Sequence, residues 1–239
     1  MNLWWRIKYF LTFLQSIWSL NTHLIRGMWR LTSLSQPAVT IFGGSRIHLD
    51  DPAIAQASLL AKKLAEMGFS IITGGGRGIM EAANFGALKY LDECKADPKR
   101  ACKKNVSGAI GLVHLNQDQV NPYVQTHVIM DHFFSRKWLL VRYSSAFVIF
   151  SGGFGTLDEF FEILTLVQTN RMPHYPIFLI GSDYWKPLLE WIETRALAQK
   201  LINSDDVKLF VVSDDVDAVA QSIKEYHLAR QVKKGKGIL

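Results

Sequence analysis

Two glycine-rich segments and one carboxylate carry most of the chemistry that the sequence suggests. Residues 151–155 contain three glycines, and Thr156 and Glu159 follow them. Residues 74–78 read Gly-Gly-Gly-Arg-Gly. Glycine turns that precede a helix present bare backbone N–H groups at the positive end of that helix, where phosphate binds well. A carboxylate beside such a turn can stabilise positive charge that develops on a bound sugar.

Both segments lie where a strand gives way to a helix. Residues 146–150 are wholly apolar, as in a strand buried on both faces of a parallel sheet. From about Thr156, apolar residues recur at helical spacing. Residues 69–73 and a helix from about Ile79 flank the other turn in the same way. Gly43 and Ser45 follow a third apolar run and suggest another loop that faces a nucleotide.

Strands and helices alternate along most of the chain, which predicts one α/β domain. We expect a Rossmann-like, mainly parallel sheet with helices on both faces. The strands are predicted at residues 38–42, 69–73, 107–113, 126–130, 146–150, 176–180 and 209–212. The nucleotide-binding domain should cover residues 37–226, between an amphipathic helical segment at 1–36 and a basic tail at 227–239.

Residues 1–36 form a mostly apolar segment with one polar stripe. Their four basic residues, with no acidic one, give a net charge of +4. The polar stripe interrupts every window that a membrane span requires. Two alternatives remain: a helix that lies in a membrane interface, with Trp and basic residues as anchors, or a helix docked on protein.

The charge is concentrated at the two ends of the chain. Residues 226–239 also carry four basic residues and no acidic one, so the body of this chain of net charge +6 is slightly acidic. We therefore expect no nucleic-acid polymer as a partner.

The segment 92–105 is a polar insertion that holds both cysteines, Cys94 and Cys102. They are too few for a disulfide framework or a four-ligand zinc site, and we expect reduced thiols in a cytoplasmic protein. His114, His127 and His132 lack metal-ligand spacing. We predict no metal and no cofactor.

Residues 151–159 resemble the P-G-G-x-G-T-x-x-E signature of the Lonely Guy family, with Ser151 in place of the proline. Residues 74–84 resemble the G-G-G-P-G-I-M-E-A-A-N form of bacterial relatives, and Arg77 replaces that proline. Arg136 and Lys137 match the family's R-K pair. The Asn-Pro-Tyr loop at 121–123 extends the resemblance, which covers roughly residues 38–225.

The resemblance implies hydrolysis of the N-glycosidic bond of nucleoside 5′-monophosphates, including cytokinin riboside 5′-monophosphates, to free base and ribose 5-phosphate. It also implies at least a homodimer. Arg136 and Glu159 would be catalytic. The expected substrate-binding residues are Gly43, Ser45, Gly74, Gly75, Gly76, Arg77, Gly78, Met80, Glu81, Asn84, Lys137, Gly152, Gly153, Gly155 and Thr156.

We expect Glu159 to be ionised by the helix dipole, as a charge stabiliser, a ribose-hydroxyl acceptor or a water-orienting base. Arg136 would hold the phosphate or stabilise the departing base, and Asp158 would be only a first-turn acid. Glu81 and Asn84 would help to bind the ribose or the base.

Three other functions compete with this interpretation. A pyridoxal-phosphate decarboxylase needs a Schiff-base lysine, and nothing in the sequence nominates one. Neither glycine turn fits the dehydrogenase pattern G-x-G-x-x-G with an acid about 20 residues later. A non-catalytic nucleotide-binding protein, or a carrier like those of the molybdenum cofactor, is the serious alternative, and the joint presence of Arg136 and Glu159 favours the enzyme.

Overall fold

Strands and helices alternate in the computed structural model, which describes residues 3–97, 99, 101–113 and 120–235. The strands in these residues are β1 (Ala38–Phe42), β2 (Ser70–Thr73), β3 (Ser107–Leu112), β4 (Thr126–Met130), β5 (Phe147–Ile149), β6 (Ile177–Leu179) and β7 (Val211–Val212). The α-helices are α1 (Leu3–Leu31), α2 (Pro52–Glu66), α3 (Ile79–Ala96), α4 (Phe133–Arg142), α5 (Phe154–Gln168), α6 (Ser182–Trp191) and α7 (Val216–Gly235). A π-helical segment, Ile192–Leu197, continues α6, and a 3-10 turn spans Asp206–Lys208.

The seven strands of the described residues form one sheet in the order β4-β3-β2-β1-β5-β6-β7. Every pairing between them is parallel. The predicted α/β, Rossmann-like fold is therefore confirmed. The chain builds outward from β1 to β4 and then returns to the other side of β1 with β5. Ligands of such sheets bind where the strand order reverses, outside the carboxyl ends of the strands, which here means beside β1 and β5.

Two apolar layers cover the two faces of the sheet. On one face, α2, α3 and α7 pack on strand residues such as Ile41 and Val148. On the other, α1, α4, α5 and α6 pack on residues such as Phe42 and Ile149. Strands that are buried on both faces read as continuous apolar runs, which is why the sequence located them well.

Helix α2 shows how local residues set the element boundaries. Asp51 caps it by accepting a hydrogen bond from the Ala53 N–H at 2.9 Å, and Pro52 is its first residue. The chain leaves the helix through Gly68 at a φ of +93°. Both boundaries agree with the sequence signals for a helix start and stop.

Two other helix boundaries differ from the prediction. Helix α5 begins at Phe154, two residues before the predicted Thr156. Helix α7 continues to Gly235, so the predicted boundary between domain and tail at residue 226 falls inside a helix. Residues 227–234 contain no glycine or proline, and lysine, arginine and glutamine are good helix formers.

The expectation of reduced thiols is wrong for this structure, because Cys94 and Cys102 form a disulfide. Helix α3 ends at Ala96, and the chain then turns back until the two Cα atoms lie 5.9 Å apart. That separation is within the range that a disulfide spans. The sequence argument considered larger disulfide frameworks and zinc sites, and it did not consider a single local pair.

Helix α1 packs on its own domain through its second half only. A Cβ at Gly27 would lie 3.0 Å from side-chain atoms of both Val128 and Leu139, so β4 and α4 approach the helix closely there. His23 pairs with Asp131 at 2.5 Å. None of the helices in the described part of the chain combines the length and apolar character that crossing a bilayer requires.

Helices α2 and α3 approach so closely at Gly86 that a Cβ there would lie 2.0 Å from the Ser58 carbonyl oxygen. We expect Gly86→Ala to lower the free energy of unfolding by about 1–3 kcal/mol, the usual cost of overpacking. Urea denaturation measures the change. Lys89→Ala, at an exposed position of the same helix, is the control and should leave stability within about 0.5 kcal/mol; equal stabilities of the two variants would contradict this account of the helix contact.

Candidate functional site

Three glycine loops meet at the carboxyl edge of the sheet. The Gly44 N–H donates to the Ser151 carbonyl at 2.8 Å, which joins the loop after β1 to the loop after β5. The Ile79 N–H donates to the Gly44 carbonyl at 3.2 Å, which joins the loop after β2 to the same loop. The sequence-predicted glycines are thus brought together at the point where the strand order reverses.

Some of these glycines are required by packing between the loops. Gly78 has a φ of +64°, and a Cβ there would lie 2.4 Å from the Gly44 carbonyl oxygen. A Cβ at Gly43 would lie 2.6 Å from the Ile79 side chain, and one at Gly152 would lie 2.1 Å from the Thr156 hydroxyl oxygen. Because these three residues have no side chain, the loops can pack closely against each other. The space that a side chain would take is therefore filled by protein and is not room for a ligand.

Gly153 and Gly155 differ because they face open space. Nothing lies within 4 Å of a Cβ built on either residue, and both are exposed. Among the described residues, no acceptor is recorded for the N–H groups of residues 153–155, whereas the Thr156 N–H already donates to the Gly153 carbonyl. Three free donors at the positive end of α5 form the part of the loop that suits an anion.

A residue that the sequence did not nominate, Tyr184, supports this loop. Its hydroxyl donates to the Gly152 carbonyl oxygen. The Gly152 C=O and the Gly153 N–H belong to one planar trans peptide and point in opposite directions. The bond from Tyr184 therefore directs the Gly153 N–H away from α6. Nothing in the sequence links Tyr184 to the loop, because 32 residues separate it from Gly152.

The Tyr184 side chain is itself well anchored. Its ring contacts the Trp185 ring edge-on, with 4.9 Å between centroids. Trp185 is fully buried and donates from its indole N–H to the Ile180 carbonyl at 3.0 Å. At the start of α6, the Asp214 carboxylate accepts from the N–H groups of Gly181 and Ser182 at 2.8 and 2.9 Å.

Arg136 and Glu159 form a buried ion pair between two of the glycine loops. The Arg136 Nη1 lies 3.2 Å from the Glu159 Oε1, with only 16% and 5% of the two side chains exposed. The Arg136 Nε donates to the Ile110 carbonyl at 3.0 Å. A Cβ at Gly74 would lie 2.4 Å from the Arg136 Nη2, so the guanidinium lies against the loop after β2. The two predicted catalytic residues are therefore adjacent.

The environment of Glu159 corrects the expectation that the helix dipole keeps it ionised. Burial raises the pKa of Glu159 to about 7, and the nearby Arg136 and Lys137 only partly oppose this rise. Helix α5 begins at Phe154, which puts Glu159 beyond the first turn, where the effect of the dipole has faded. Burial also lowers the pKa of Arg136 from its ordinary value.

One oxygen of Glu159 is left without a partner. Arg136 holds Oε1, whereas Oε2 is buried and has no hydrogen bond from any described residue. A buried carboxylate oxygen without a donor favours the protonated acid or awaits a group from a ligand. Oε2 is therefore the oxygen of Glu159 that has no partner among the described residues.

Lys137, predicted to bind substrate, is instead engaged by acids of α5. Its ammonium lies 2.7 Å from the Asp158 carboxylate and 2.9 Å from the Glu162 carboxylate. Asp158, expected to be only a first-turn acid, is thus an ion-pair partner. This cluster fastens α4 to α5 and so fixes the separation of Arg136 and Glu159.

Asn84, predicted to contact ribose or base, is fully buried and has no bonding capacity left. Its amide donates to the Ser107 hydroxyl and the Gly108 carbonyl, and its oxygen accepts from Thr73 and Asn121. Asn121 also donates to the Gly76 carbonyl at 3.1 Å. Asn84 therefore holds the glycine loop after β2 in place through Thr73 and Asn121, and it does not face a ligand.

The remaining predicted residues line the rim of the site. Ser45 and Arg77 are exposed, and Met80 and Glu81 are half-buried. The Met80 sulfur would lie 3.0 Å from a Cβ at Gly74, so it lies against the same loop as the Arg136 guanidinium. His114, named among the histidines without metal-ligand spacing, lies outside the described residues.

A family model described as "Possible lysine decarboxylase" matches residues 71–223, more than half of the chain. The chain belongs to that family. The resemblance to the Lonely Guy family is confirmed, because curated relatives carry names of its enzymes. A probable cytokinin riboside 5′-monophosphate phosphoribohydrolase of Oryza sativa is 26% identical over 168 residues, which cover 70% of this chain and 74% of the relative. A cytokinin riboside 5′-monophosphate phosphoribohydrolase of Rhodococcoides fascians is 31% identical over 96 residues, which cover 40% and 48%.

Solved structures support the fold of this family member. The molybdenum cofactor binding protein of Rippkaea orientalis matches with a TM-score of 0.53 at 21% identity, covering 80% of this chain and 97% of its own. The molybdenum cofactor carrier protein of Chlamydomonas reinhardtii matches with a TM-score of 0.52 at 20% identity, covering 82% and 99%. At these identities the likeness establishes the fold alone.

We expect Tyr184→Phe to weaken the binding of AMP by about 2- to 10-fold, the usual effect of losing one neutral hydrogen bond. The Gly152 carbonyl would lose its donor, and the Gly153 N–H would be less well directed. Isothermal titration measures the affinity. Tyr226→Phe is the matched control, because it removes a hydroxyl that donates to the His174 carbonyl at 2.8 Å. If both variants bind AMP like the wild type, Tyr184 does not position the loop.

Proposed function

We propose that the chain hydrolyses the N-glycosidic bond of nucleoside 5′-monophosphates, releasing the free base and ribose 5-phosphate. The observation that carries the proposal is the buried Arg136–Glu159 pair beside the open N–H groups of residues 153–155. Family membership supports it, because the curated relatives are named as phosphoribohydrolases of this reaction type.

The 5′-phosphate would bind at the start of α5. The free N–H groups of residues 153–155 supply donors, and the helix dipole adds a favourable field. Arg77 and Ser45 at the rim, and Met80 and Glu81 beside the loop after β2, would line the rest of the substrate. Such binding places the anomeric carbon of the ribose near the Arg136–Glu159 pair.

Glu159 would act through Oε2. Cleavage of the N-glycosidic bond passes through a sugar with oxocarbenium character, which an adjacent carboxylate stabilises. Oε2 would also accept a proton from the water that attacks the anomeric carbon as the C–N bond breaks. That proton would then pass to the departing base, which restores the carboxylate and completes the addition of one water across the bond. A carboxylate whose pKa lies near 7 is a much stronger base than an ordinary one and is still ionised in about half of the molecules at that pH.

Arg136 would orient the catalytic carboxylate and contact the substrate. It holds Oε1 and so leaves Oε2 free, and its Nη2, which lies against the loop after β2, would donate to a base or phosphate oxygen. Lys137 would act indirectly, by fastening α4 to α5 through Asp158 and Glu162.

The curated relatives named for cytokinin riboside 5′-monophosphates make these nucleotides the first substrates to test beside ordinary purine and pyrimidine monophosphates. We further propose a homodimer in the cytoplasm, as the family resemblance suggests. Because Cys94 and Cys102 form a disulfide, free thiols no longer support the assignment to the cytoplasm. Residues 1–36 hold none of the proposed site residues, and their two alternatives, a membrane interface or a protein surface, do not change this proposal.

Glu159→Gln tests the catalytic proposal. The change preserves shape but removes the charge and the basic oxygen, so release of ribose 5-phosphate from a nucleoside monophosphate should fall by about 10²-fold or more. The affinity for AMP should change little, because the N–H groups of residues 153–155 remain. Colorimetric assay of reducing sugar measures the turnover, and calorimetry measures the affinity.

Glu190→Gln is the matched control for that experiment. It makes the same chemical change at an exposed glutamate of α6, outside the cluster that holds Arg136 and Glu159. It should retain most of the activity. A wild-type protein that binds AMP tightly yet releases no ribose 5-phosphate from any nucleotide would instead favour a carrier or binding protein.

The raised pKa of Glu159 predicts a pH dependence. The carboxylate form is the one required, so kcat/KM should rise with pH through a midpoint near 7 and level off about one pH unit higher. An ordinary exposed glutamate would have placed that rise near pH 4.5. Initial rates between pH 5 and 9 measure the profile. A rise centred near pH 4.5, with a flat profile from 5.5 upward, would show that Glu159 is not the titrating base.

A further inference from the structure

Helix α1 exposes an apolar stripe along its whole length. At 1.5 Å per residue, its 29 residues extend for about 43 Å. The stripe side chains are 38–79% exposed: Ile7, Phe10, Leu11, Leu14, Ile17, Trp18, Ile25, Met28 and Trp29. Soluble proteins rarely leave so long an apolar surface in water without a binding role.

The helix meets its own domain along a different flank. Leu31 is fully buried and Gly27 packs against β4 and α4, both in the second half of the helix. In the first half, every side chain of residues 4–18 is exposed. At 100° per residue, Ile7 and Leu14 lie about 100° or more from both Gly27 and Leu31 around the helix axis. Packing within the chain therefore does not account for the stripe.

The charge of α1 has one sign. Arg6, Lys8, Arg26 and Arg30 lie on it, and the chain has no acidic residue before Asp50. Lys8, Arg26 and Arg30 lie on one side of the helix with Thr12, roughly opposite the apolar stripe, and Arg6 lies at the edge of the stripe. A helix with this division can lie flat in a lipid interface, with the stripe in the acyl boundary and the basic residues among headgroups.

Aromatic residues mark the free end of the helix. Lys8 Nζ lies 5.4 Å from the centre of the Trp4 ring and 5.5 Å from that of Trp5. Trp4 is 65% exposed. Tryptophan prefers the boundary between acyl chains and water, where its ring is buried and its N–H remains hydrated, and a lysine beside it reaches the headgroups.

We propose that α1 anchors this protein to the surface of an anionic bilayer, with the helix in the plane of the interface and the α/β domain in water. A bilayer span is disfavoured by the polar stripe, and no described helix meets its requirements. Pairing of α1 with α1 of a second copy would bring together two helices of net charge +4. An anionic lipid surface instead offers charge complementarity and an apolar layer for the stripe.

Cosedimentation of the full-length protein with vesicles tests the proposal. Phosphatidylcholine vesicles that contain phosphatidylglycerol should bind the protein at low salt, and binding should weaken as salt rises. The triple variant Ile7→Ser, Phe10→Ser, Leu14→Ser should bind at least about tenfold more weakly, because three apolar side chains no longer insert. Arg6→Gln with Lys8→Gln should lose about fivefold for each charge on anionic vesicles and change little on neutral ones.

The matched control replaces three exposed apolar residues elsewhere: Leu201→Ser, Leu228→Ser, Val232→Ser. It should bind vesicles like the wild type. All substituted side chains are exposed, so the variants should fold, which circular dichroism verifies. Failure of the wild type to bind anionic vesicles would overturn the proposal. So would a stripe variant that still binds vesicles but has a lower oligomeric mass by light scattering, because the stripe would then be covered by a second copy.

Discussion

The ion pair between Arg136 and Glu159 determines how the rest of the site is built. Two charges that are removed from water must be held in good geometry, or the cost of desolvation exceeds their attraction. The Ile110 carbonyl fixes the guanidinium from the sheet, and the cluster of Lys137 with Asp158 and Glu162 fixes α4 against α5. The glycine at position 74 then leaves room for the guanidinium. Features on β3, α4, α5 and the loop after β2 thus serve one contact.

Much of the fold was predictable because parallel strands buried on both faces leave a strong signal. The bounds of β1 and β4 agree with the sequence prediction, and the order of elements agrees throughout the described residues. The start of α5 and the end of α7 leave a weaker signal in the sequence. No start motif marks the beginning of α5 at Phe154, and no stop motif marks an end of α7 near residue 226.

The candidate site was predictable where function depends on residue type and not where it depends on distant contacts. Glycine motifs and the Arg–Lys pair located Arg136 and Glu159. Tyr184 was missed, because its bond to Gly152 joins residues far apart in sequence. Asn84 was misassigned, since its motif position gave no sign that Thr73, Ser107 and Asn121 would consume all its hydrogen bonds. The state of Glu159 was misjudged because burial is a property of the folded chain.

The unpartnered Oε2 of Glu159 is the point where the structure departs from the rules that favour stability. A buried polar atom without a hydrogen bond costs about 1–3 kcal/mol, and a nearby hydroxyl or amide would remove that cost. Asn84 shows that the same domain satisfies a buried polar group completely where only support is needed. Departures of this kind concentrate at sites of function, because a partner for Oε2 would also compete with substrate and water. Under the proposed function, the stability lost at this oxygen is the cost of keeping the Glu159 carboxylate free to act as a base.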